Sequence, residues 1–556
     1  MGTSVGNLTA LLPQMQEFAF PSLLALPGLG GGMESASAAE VRGLLLAVNI
    51  FEVVVNGVVS YLNARSRATQ LTPSLRSVYD EHAFEQFQKY SKENGVISFI
   101  SSSISFFLSI LFLLFAVFGE VDRLVVDTLT SVSGGHWLAV HPITVGVCFY
   151  LSLQLLMTLI TLPISLYKTF AIEEKYGFNK MTIGLYFADM AKSFLLGIVI
   201  GFPLYAVLYL VLTSGEGERV WIYAWIILGA FTILLNLAYV NLILPLFNTL
   251  VKLPEGRLHR EIVEAGRQAG FPVEEITVMD GSKRTTKANA FLSGFGKAKK
   301  IVLFDTLLTT FSVREMAAVV AHELGHHAYR HIYLNMVNAL LQLLLFLYLL
   351  STVIFLPAVA EAVGVKRAEG EEGIKSALHV TFYIALELLG PLSVLTSLFS
   401  HACSRLFEYQ ADEFSVRSYS PSPLPERVPL LKRDKADESF RASEKEKREK
   451  REGKKGEGVE KATGEKQDEQ EEGEKKQTSK EKMEESVSKL MKEVETRGEV
   501  EDSDKKGQAL KRALSLLSAS HLDNLTPHPL YVFFHYTHPP ILNRLEAIDK
   551  NVKKLM

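Results

Sequence analysis

The residues best suited to chemistry lie in the stretch 318–331, which reads AVVAHELGHHAYRH. His322 and His326 are four residues apart, so on a helix both imidazoles face one side and can bind one metal ion. Glu323, next to the first histidine, has the position of a general base that holds and deprotonates a water molecule. This His-Glu-x-x-His pattern predicts metal-dependent hydrolysis.

The residues before this motif predict the helix that carries it. Ser312 and Glu315 have the spacing of a capping box, so a helix should begin there. The other two histidines, His327 and His331, are out of phase with the pair on a continuous helix, and they are interpreted as supporting or interfacial residues. A longer motif that ends in a third histidine ligand is excluded, because Ile332 occupies that position.

A third ligand is needed, since catalytic zinc usually takes three protein ligands and leaves a fourth position for water. In the stretch 404–412, Glu408 and Asp412 are four residues apart and can point to one place from a helix. Glu408 would bind the metal, and Asp412 could accept a hydrogen bond from a ligand imidazole and fix its tautomer. Alternatively, this is an exposed amphipathic helix in which Arg405 pairs with Glu408.

Long apolar runs place this chemistry in a polytopic membrane protein. The chain has 556 residues, of which 48% are hydrophobic. Seven runs approach the roughly 20 residues that a spanning helix needs. These predicted spans are residues 43–62, 96–118, 145–166, 193–212, 221–247, 332–355 and 377–399. The two cysteines, Cys148 and Cys403, are too few for a disulfide framework or a cysteine-rich metal site.

The basic residues predict the orientation of these spans. The first loop carries five of them, Arg65, Arg67, Arg76, Lys89 and Lys92. The second loop carries only Arg123. Because lysine and arginine in short loops mark the cytosolic side, the N-terminus is predicted to be lumenal. The segment 248–331 and the C-terminus are then cytosolic.

Two short signals agree with this orientation and suggest a compartment. Asn7 lies in a glycosylation sequon on the predicted lumenal arm. Lys553 and Lys554, close to the C-terminus, resemble a dilysine retrieval signal that is read from the cytosol. The predicted location is the endoplasmic reticulum membrane.

A charged segment, residues 419–506, follows the candidate third ligand. It is rich in lysine and glutamate and nearly free of aromatic residues, so it cannot bury enough apolar surface to fold alone. It is interpreted either as a solvated helix or disordered chain, or as a regulatory or docking arm.

Several motifs together resemble the integral-membrane type I CAAX prenyl proteases, zinc endopeptidases that cut prenylated C-terminal motifs. In chain order they are LPISLYKTF at 162–170, IEEKYGFN at 172–179, LPEG at 253–256, IVLFDTLL at 301–308, SRLFEYQAD at 404–412 and HPP at 538–540. The sequence departs from the family in two places. His327 stands where the family usually has tryptophan, and the charged segment is much longer than usual.

The resemblance implies a mainly α fold in which seven membrane helices enclose a large water-filled chamber. A zincin-like metalloprotease domain would lie on the cytosolic side. One zinc ion (Zn2+) per chain would be bound by His322, His326 and Glu408. Glu323 would be the catalytic base, and Asp412 would support the ligands.

The resemblance also assigns roles to residues outside the ligand set. His538 and Arg544 match catalytic positions that steady the oxyanion or the substrate. Asn289 and Ala290 match an edge segment along which the substrate is held as an added strand. Arg405 is predicted, together with Asp412, to support the metal ligands.

Seven segments describe the predicted organisation of the chain. They are a lumenal arm (1–42), membrane helices one to five (43–247), the first part of the protease domain with the edge strand and zinc helix (248–331), membrane helices six and seven (332–399), the zinc-ligand helix (400–418), the charged insertion (419–506) and the C-terminal part of the protease domain (507–556).

The predicted function is zinc-dependent removal of the C-terminal tripeptide from prenylated CAAX proteins. The partners would be the prenylated substrate and the lipid membrane, with no nucleic acid and no predicted oligomeric state. An alternative is a membrane quality-control protease that uses the same site without regard to prenylation. A transporter or receptor would instead use intramembrane carboxylates such as Glu52 and Glu387 for ions or ligands, and it would need no zinc.

Overall fold

The computed structural model describes residues 37–134, 136, 141–214, 219–271, 273, 275–294, 300–365, 371–421, 430–431, 479–500 and 505–556. The sequon at Asn7 and most of the charged insertion fall outside these residues.

Helices make up most of the described chain. In chain order they are α1 (Ala38–Ser66), α2 (Glu81–Leu114), α3 (Val117–Ser133), α4 (Pro142–Glu173), α5 (Ile183–Leu212), α6 (Val220–Phe247), α7 (Arg257–Gln268), α8 (Asp305–Thr310), α9 (Val313–Ala328), α10 (His331–Val353), α11 (Pro357–Glu361), α12 (Glu371–Leu388), α13 (Gly390–Ser418), α14 (Ser479–Thr496), α15 (Gln508–His521), α16 (Pro529–His535) and α17 (Ile541–Leu555). The strands are β1 (Leu250–Lys252), β2 (Ile276–Met279), β3 (Ala290–Ser293), β4 (Lys300–Phe304), β5 (Leu430–Leu431) and β6 (Glu499–Val500).

Six described helices are long and apolar enough to cross a membrane, namely α1, α2, α4, α5, α6 and α10. They bury little surface, since only 6–22% of the residues in the apolar part of each helix are buried within the protein. Helices packed closely on one another would cover more of their faces. The low burial therefore agrees with helices that stand around an open interior.

The seventh predicted span is a bent pair of helices. α12 and α13 meet at Leu389 with a bend of 51°, and they make a seventh span if the pair crosses once. Pro391 lies in the first turn of α13, where its missing N–H and its ring prevent α12 from continuing through it. α13 then runs without a break from the apolar segment into residues 404–412. The candidate third ligand is therefore carried on an extension of a membrane segment.

A four-stranded sheet of order β1-β2-β4-β3 forms the frame of the protease region. β2 and β4 are parallel and central, whereas β1 and β3 pair antiparallel at the two edges. β3 is in register with β4 from Ala290 opposite Leu303 to Ser293 opposite Lys300. Among the described residues, the other side of β3 has no strand partner, so it is a free edge.

Helix α9 lies in the main hydrophobic core and begins as predicted. Ser312 is its N-cap, and the reciprocal bonds of a capping box join Ser312 and Glu315. The core combines α9 with α7, α8, α15, α17 and the inner face of the sheet. This burial fixes the helix that carries His322 and His326.

The end of the charged insertion is also part of this core. α14 buries one apolar face, formed by Met483, Val487, Met491 and Val494. Beyond its C-terminus, Glu499 forms a buried ion pair with Arg257 at 2.8 Å. The interpretation as solvated or disordered chain is therefore wrong for residues 479–500, which dock on the protease region.

Candidate active site

Helices α9 and α13 approach each other closely at the candidate site. A Cβ atom at Gly325 would lie 2.9 Å from Cα of Ala411 and 3.1 Å from its carbonyl oxygen. Gly325 is next to His326, and Ala411 lies between Glu408 and Asp412 in sequence. The missing side chain therefore lets the two ligand-bearing helices meet.

We expect Gly325→Ala to push these helices apart. Overpacking of this kind typically costs about 1–3 kcal/mol, so the melting temperature of the purified protein should fall, and its metal affinity with it. Gly197→Ala is the matched control, because it adds the same methyl group to α5 where no atom lies within 4 Å. Equal melting temperatures for the two variants would contradict the steric role of Gly325.

The side chains of His322, His326 and Glu408 converge on one point. The two Nε2 atoms are 3.3 Å apart. The Glu408 carboxylate lies 3.4 Å from each of them, through Oε2 to His322 and through Oε1 to His326. Ligands at 2.0–2.1 Å from a tetrahedral zinc ion are separated by about 3.3 Å, so the separations between these three side chains match those of ligands that share one such ion.

The burial of the two carboxylates also fits a metal site. Oε2 of Glu408 is buried, and it faces Nε2 of His322 at 3.4 Å and Nη1 of Arg544 at 3.3 Å. Glu408 is only 4% exposed and Asp412 is fully buried. The alternative of an exposed amphipathic helix is therefore wrong for these two carboxylates. A buried carboxylate whose two oxygens face the nitrogens of two imidazoles is the donor set expected of a cation site.

Asp412 fixes the orientation of His322. Its Oδ1 lies 2.9 Å from Nδ1 of His322, so a proton on Nδ1 is donated to the carboxylate and Nε2 keeps its lone pair for a metal. Burial lowers the pKa of His322, but the carboxylates of Asp412 and Glu408 outweigh it and raise the pKa to about 10. Metal binding near neutral pH therefore displaces a proton from this ligand.

Arg544 connects the two buried carboxylates. Its Nε and Nη2 donate to Asp412 at 2.9 and 2.7 Å. Its Nη1 lies 3.3 Å from Oε2 of Glu408. In this arrangement Arg544 orients the carboxylates. A direct contact with the substrate stays a prediction.

Glu323 faces the free edge of the sheet. The backbone N–H of Leu292 in β3 donates to its carboxylate. Burial raises the pKa of Glu323, while the nearby imidazoles of His322 and His326 lower it. The predicted base is therefore held between the ligand set and the edge strand.

The predicted substrate residues lie at the start of this strand. The Asn289 carbonyl accepts a hydrogen bond from Phe304 on the β4 side, so the backbone groups of alternate residues, Ala290 and Leu292, point to the free edge. Oδ1 of Asn289 accepts the Ala290 N–H at 2.9 Å. The exposed Asn289 side chain thus covers one backbone donor of the free edge.

His538 lies beside the third ligand but is largely exposed. Its Nε2 is 3.3 Å from Oε1 of Glu408, and 62% of its side chain is accessible. Arg405 holds the adjoining segment, since it donates to the carbonyl oxygens of Val532 and Tyr536 at 3.0 and 2.7 Å. Arg405 therefore acts on the segment that carries His538; the alternative, in which it pairs with Glu408, is not what its two hydrogen bonds show.

His327 and His331, which the sequence predicted to be supporting or interfacial residues, lie in different surroundings. His327 packs edge-on against Phe271, with ring centroids 4.8 Å apart. His331 instead lies against the ligand His326, with Nδ1 atoms 3.0 Å apart. Its partner Gln410 was missed, although it lies inside the stretch 404–412.

Two family models match the chain in succession. Residues 60–249 match the family described as CAAX prenyl protease N-terminal, five membrane helices. Residues 252–432 match peptidase family M48. Together they cover the membrane helices from the end of α1 onward and all three members of the histidine and glutamate cluster.

Named relatives agree with the family models. CAAX prenyl protease 1 of Saccharomyces cerevisiae is 29% identical over 384 residues, which is 67% of this chain and 84% of the yeast protein. The Oryza sativa homologue is 31% identical over 383 residues, or 68% of this chain and 87% of the rice protein. The Homo sapiens homologue is 29% identical over 403 residues, which is 66% of this chain and 83% of the human protein.

A solved structure has a similar fold. The crystal structure of S. mikatae Ste24p aligns with a TM-score of 0.70 and 25% identity, over 92% of this chain and 99% of that chain. From its sequence matches, its fold and its metal-binding cluster, the chain belongs to the CAAX prenyl protease 1 family of M48 peptidases and is a multi-pass membrane metalloprotease.

Proposed function

We propose that this protein is a zinc-dependent endopeptidase that removes the C-terminal tripeptide from prenylated CAAX proteins. The observation that carries the proposal is the convergence of His322, His326 and Glu408, whose ligand atoms lie within 4.8 Å of one another. Glu323 and the free edge of β3 adjoin this cluster. A base, a metal site and a strand edge are the parts needed to hydrolyse an extended peptide.

Zinc is the proposed metal, with one ion per chain. Two histidines and one glutamate with an open position are a common ligand set of catalytic zinc. When bound, zinc supplies Lewis acidity that makes water acidic enough to lose a proton near neutral pH. Asp412 and Arg544 hold His322 and Glu408 in place for it.

The substrate is proposed to bind as an additional strand along β3. Ala290 and Leu292 present backbone groups to the free edge, and a peptide paired with them would pass Glu323. Because Oδ1 of Asn289 occupies the Ala290 N–H, the peptide carbonyl must displace it. This exchange keeps the donor paired before and after binding. The Leu292 N–H stays with the Glu323 carboxylate, so Leu292 offers the peptide its carbonyl oxygen.

Glu323 is the proposed base in the hydrolysis. Its carboxylate accepts a proton from the attacking water and passes it to the leaving nitrogen as the peptide C–N bond breaks and the new C–O bond forms. The Leu292 N–H orients that carboxylate. His538, exposed beside Glu408, is the proposed hydrogen-bond donor to the developing oxyanion.

The membrane position of the site matches a lipid-modified substrate. Each methylene of a prenyl chain gains about 0.8 kcal/mol in lipid, so the modified end of the substrate stays near the bilayer. α13 continues from an apolar segment directly into Glu408. The proposed location is the endoplasmic reticulum membrane with a lumenal N-terminus and a cytosolic site, and Lys553 and Lys554 are exposed on the last turn of α17.

A matched pair of peptides tests this proposal. The purified protein in detergent should release the C-terminal tripeptide from a farnesylated C-a-a-X peptide, as detected by mass analysis. The same peptide without farnesyl should be cut at least about tenfold more slowly, since burial of two methylenes already gives that ratio. Phenanthroline should stop the reaction, and added zinc should restore it.

Two outcomes would argue against it. Equal cleavage of both peptides would favour the membrane quality-control protease, which uses the same residues without recognising the prenyl group. Full activity after complete removal of zinc would contradict the metal assignment.

A further inference from the structure

A chain of three side chains extends behind His326. Nδ1 of His326 is 3.0 Å from Nδ1 of His331. Nε2 of His331 is 2.8 Å from Oε1 of Gln410. His331 is 1% exposed, so its two ring nitrogens face these partners instead of water. These side chains join the first residue of α10 and the ligand segment of α13 to the second histidine of the motif.

Only one arrangement of protons in this chain leaves His326 able to bind a metal. The amide oxygen of Gln410 accepts a hydrogen bond, so His331 carries its proton on Nε2. Its Nδ1 then accepts a hydrogen bond from the N–H at Nδ1 of His326. Nε2 of His326 is left with a free lone pair toward Glu408. The reverse arrangement would put a proton on that Nε2 and block the ligand position.

The position of His331 is held by the local fold. Arg330, the preceding residue, has a φ of 60° in the left-handed region, a conformation that costs a non-glycine residue energy. This turn ends α9 and starts α10, which brings His331 back toward His326. Its ring also stacks on Phe407, with centroids 4.1 Å apart and planes 11° apart.

We propose that His331 and Gln410 are positioning residues that fix the tautomer and ring orientation of His326 for metal binding. The inference rests on the proposed zinc site and extends it. The two histidine ligands are then oriented by different groups, His322 by a carboxylate and His326 by a neutral imidazole and amide. Loss of a partner that orients a ligand typically weakens metal binding about 10–100-fold.

Three variants of the full-length protein test this inference. His331→Phe keeps an aromatic ring to stack on Phe407 but removes the acceptor. Gln410→Leu removes the acceptor for His331, whereas Gln410→Glu retains one. Zinc affinity is measured by competition with a chelator, the cobalt-substituted protein gives an absorption spectrum of the site, and melting temperature without metal reports folding.

We expect His331→Phe to bind zinc about 10–100-fold more weakly and to change the cobalt spectrum. Gln410→Leu should weaken binding in the same direction, and Gln410→Glu should restore wild-type affinity. Melting temperatures without metal should stay close to that of the wild type for both Gln410 variants. If His331→Phe does not fold, the two Gln410 variants decide the question.

The result can separate this inference from the proposed zinc site. Wild-type protein that binds no zinc would overturn both. Tight zinc binding by the wild type together with unchanged affinity in His331→Phe and Gln410→Leu would overturn the inference alone. Equal weakening in Gln410→Leu and Gln410→Glu would also overturn it, because an acceptor is present in only one of them.

Discussion

Glu323→Gln is expected to lower kcat for peptide cleavage by about 10²–10⁴-fold while metal binding is retained. Glutamine has nearly the same shape as glutamate, but its amide cannot take a proton from water. The ligand atoms of His322, His326 and Glu408 are unchanged, and they hold the metal without Glu323. The effect should therefore appear in the chemical step.

The measurement combines kinetics with metal content. Wild type and Glu323→Gln should each hold one zinc ion per chain, and only the wild type should cleave the farnesylated peptide at a normal rate. Glu264→Gln is a control, because Glu264 is an exposed partner of Arg267 on α7. Its activity should equal that of the wild type.

A second variant, Glu323→Ala, tests whether the loss of activity comes from the missing base or from a disturbed contact with the Leu292 N–H of β3. In Glu323→Gln the amide NH₂ group can face the Leu292 N–H, which donates to the carboxylate in the native protein. Glu323→Ala removes the side chain and this conflict together. Both variants should be inactive. Activity of either within tenfold of the wild type would rule out Glu323 as the base.

Helical periodicity predicted which candidate ligands share a helix face, whereas the choice of Glu408 as the third ligand rested on the resemblance to the prenyl proteases. His322 and His326 repeat at four residues, and so do Glu408 and Asp412. What periodicity cannot supply is the distance between two helices that are far apart in sequence. Gly325 meets Ala411 at the crossing, and this contact depends on the packing of the whole protease region.

His331 shows where the same reasoning fails. On one continuous helix it lies about half a turn away from the ligand face, which excludes a contact with His326. The helix ends before it, however, and the left-handed conformation of Arg330 reverses the direction of the side chain. A non-glycine residue with positive φ is uncommon and gives little signal in a single sequence.

The charged insertion shows the limit of average composition. Its lysine and glutamate content predicts solvated chain, yet Met483, Val487, Met491 and Val494 are spaced by four, four and three residues. That spacing makes an apolar stripe on a helix, and the stripe is buried against the core. If the periodicity of apolar residues had been analysed over stretches of about 15 residues, it would have identified this helix within the segment.

The second large effect is expected for Asp412→Asn. The buried carboxylate accepts hydrogen bonds from Nδ1 of His322 and from Nε and Nη2 of Arg544. Asparagine has one oxygen and one NH₂ group, so at least one donor would face another donor. Breaking such a buried pair typically costs about 3–5 kcal/mol. Zinc affinity should fall about 10–100-fold, because His322 loses its partner.

Glu413→Gln is the matched control on the same helix. Its carboxylate pairs with Arg417 at 2.6 Å, but the side chains are 30% and 53% exposed, so the pair is worth about 0–1 kcal/mol. Thermal unfolding and chelator competition should therefore show a large loss of stability and of zinc affinity for Asp412→Asn and almost none for Glu413→Gln. Equal effects of the two substitutions would contradict the role assigned to Asp412.

Removing Arg544 as well should separate stability from metal binding. In the double variant Asp412→Asn with Arg544→Met, no unpaired guanidinium remains beside the asparagine, so part of the lost stability should return. Zinc affinity should stay low, because the partner of His322 is still changed and Glu408 has lost the side chain that orients it. If stability and zinc affinity recovered together, the main effect of Asp412 would be on folding, with no separate action on the ligand.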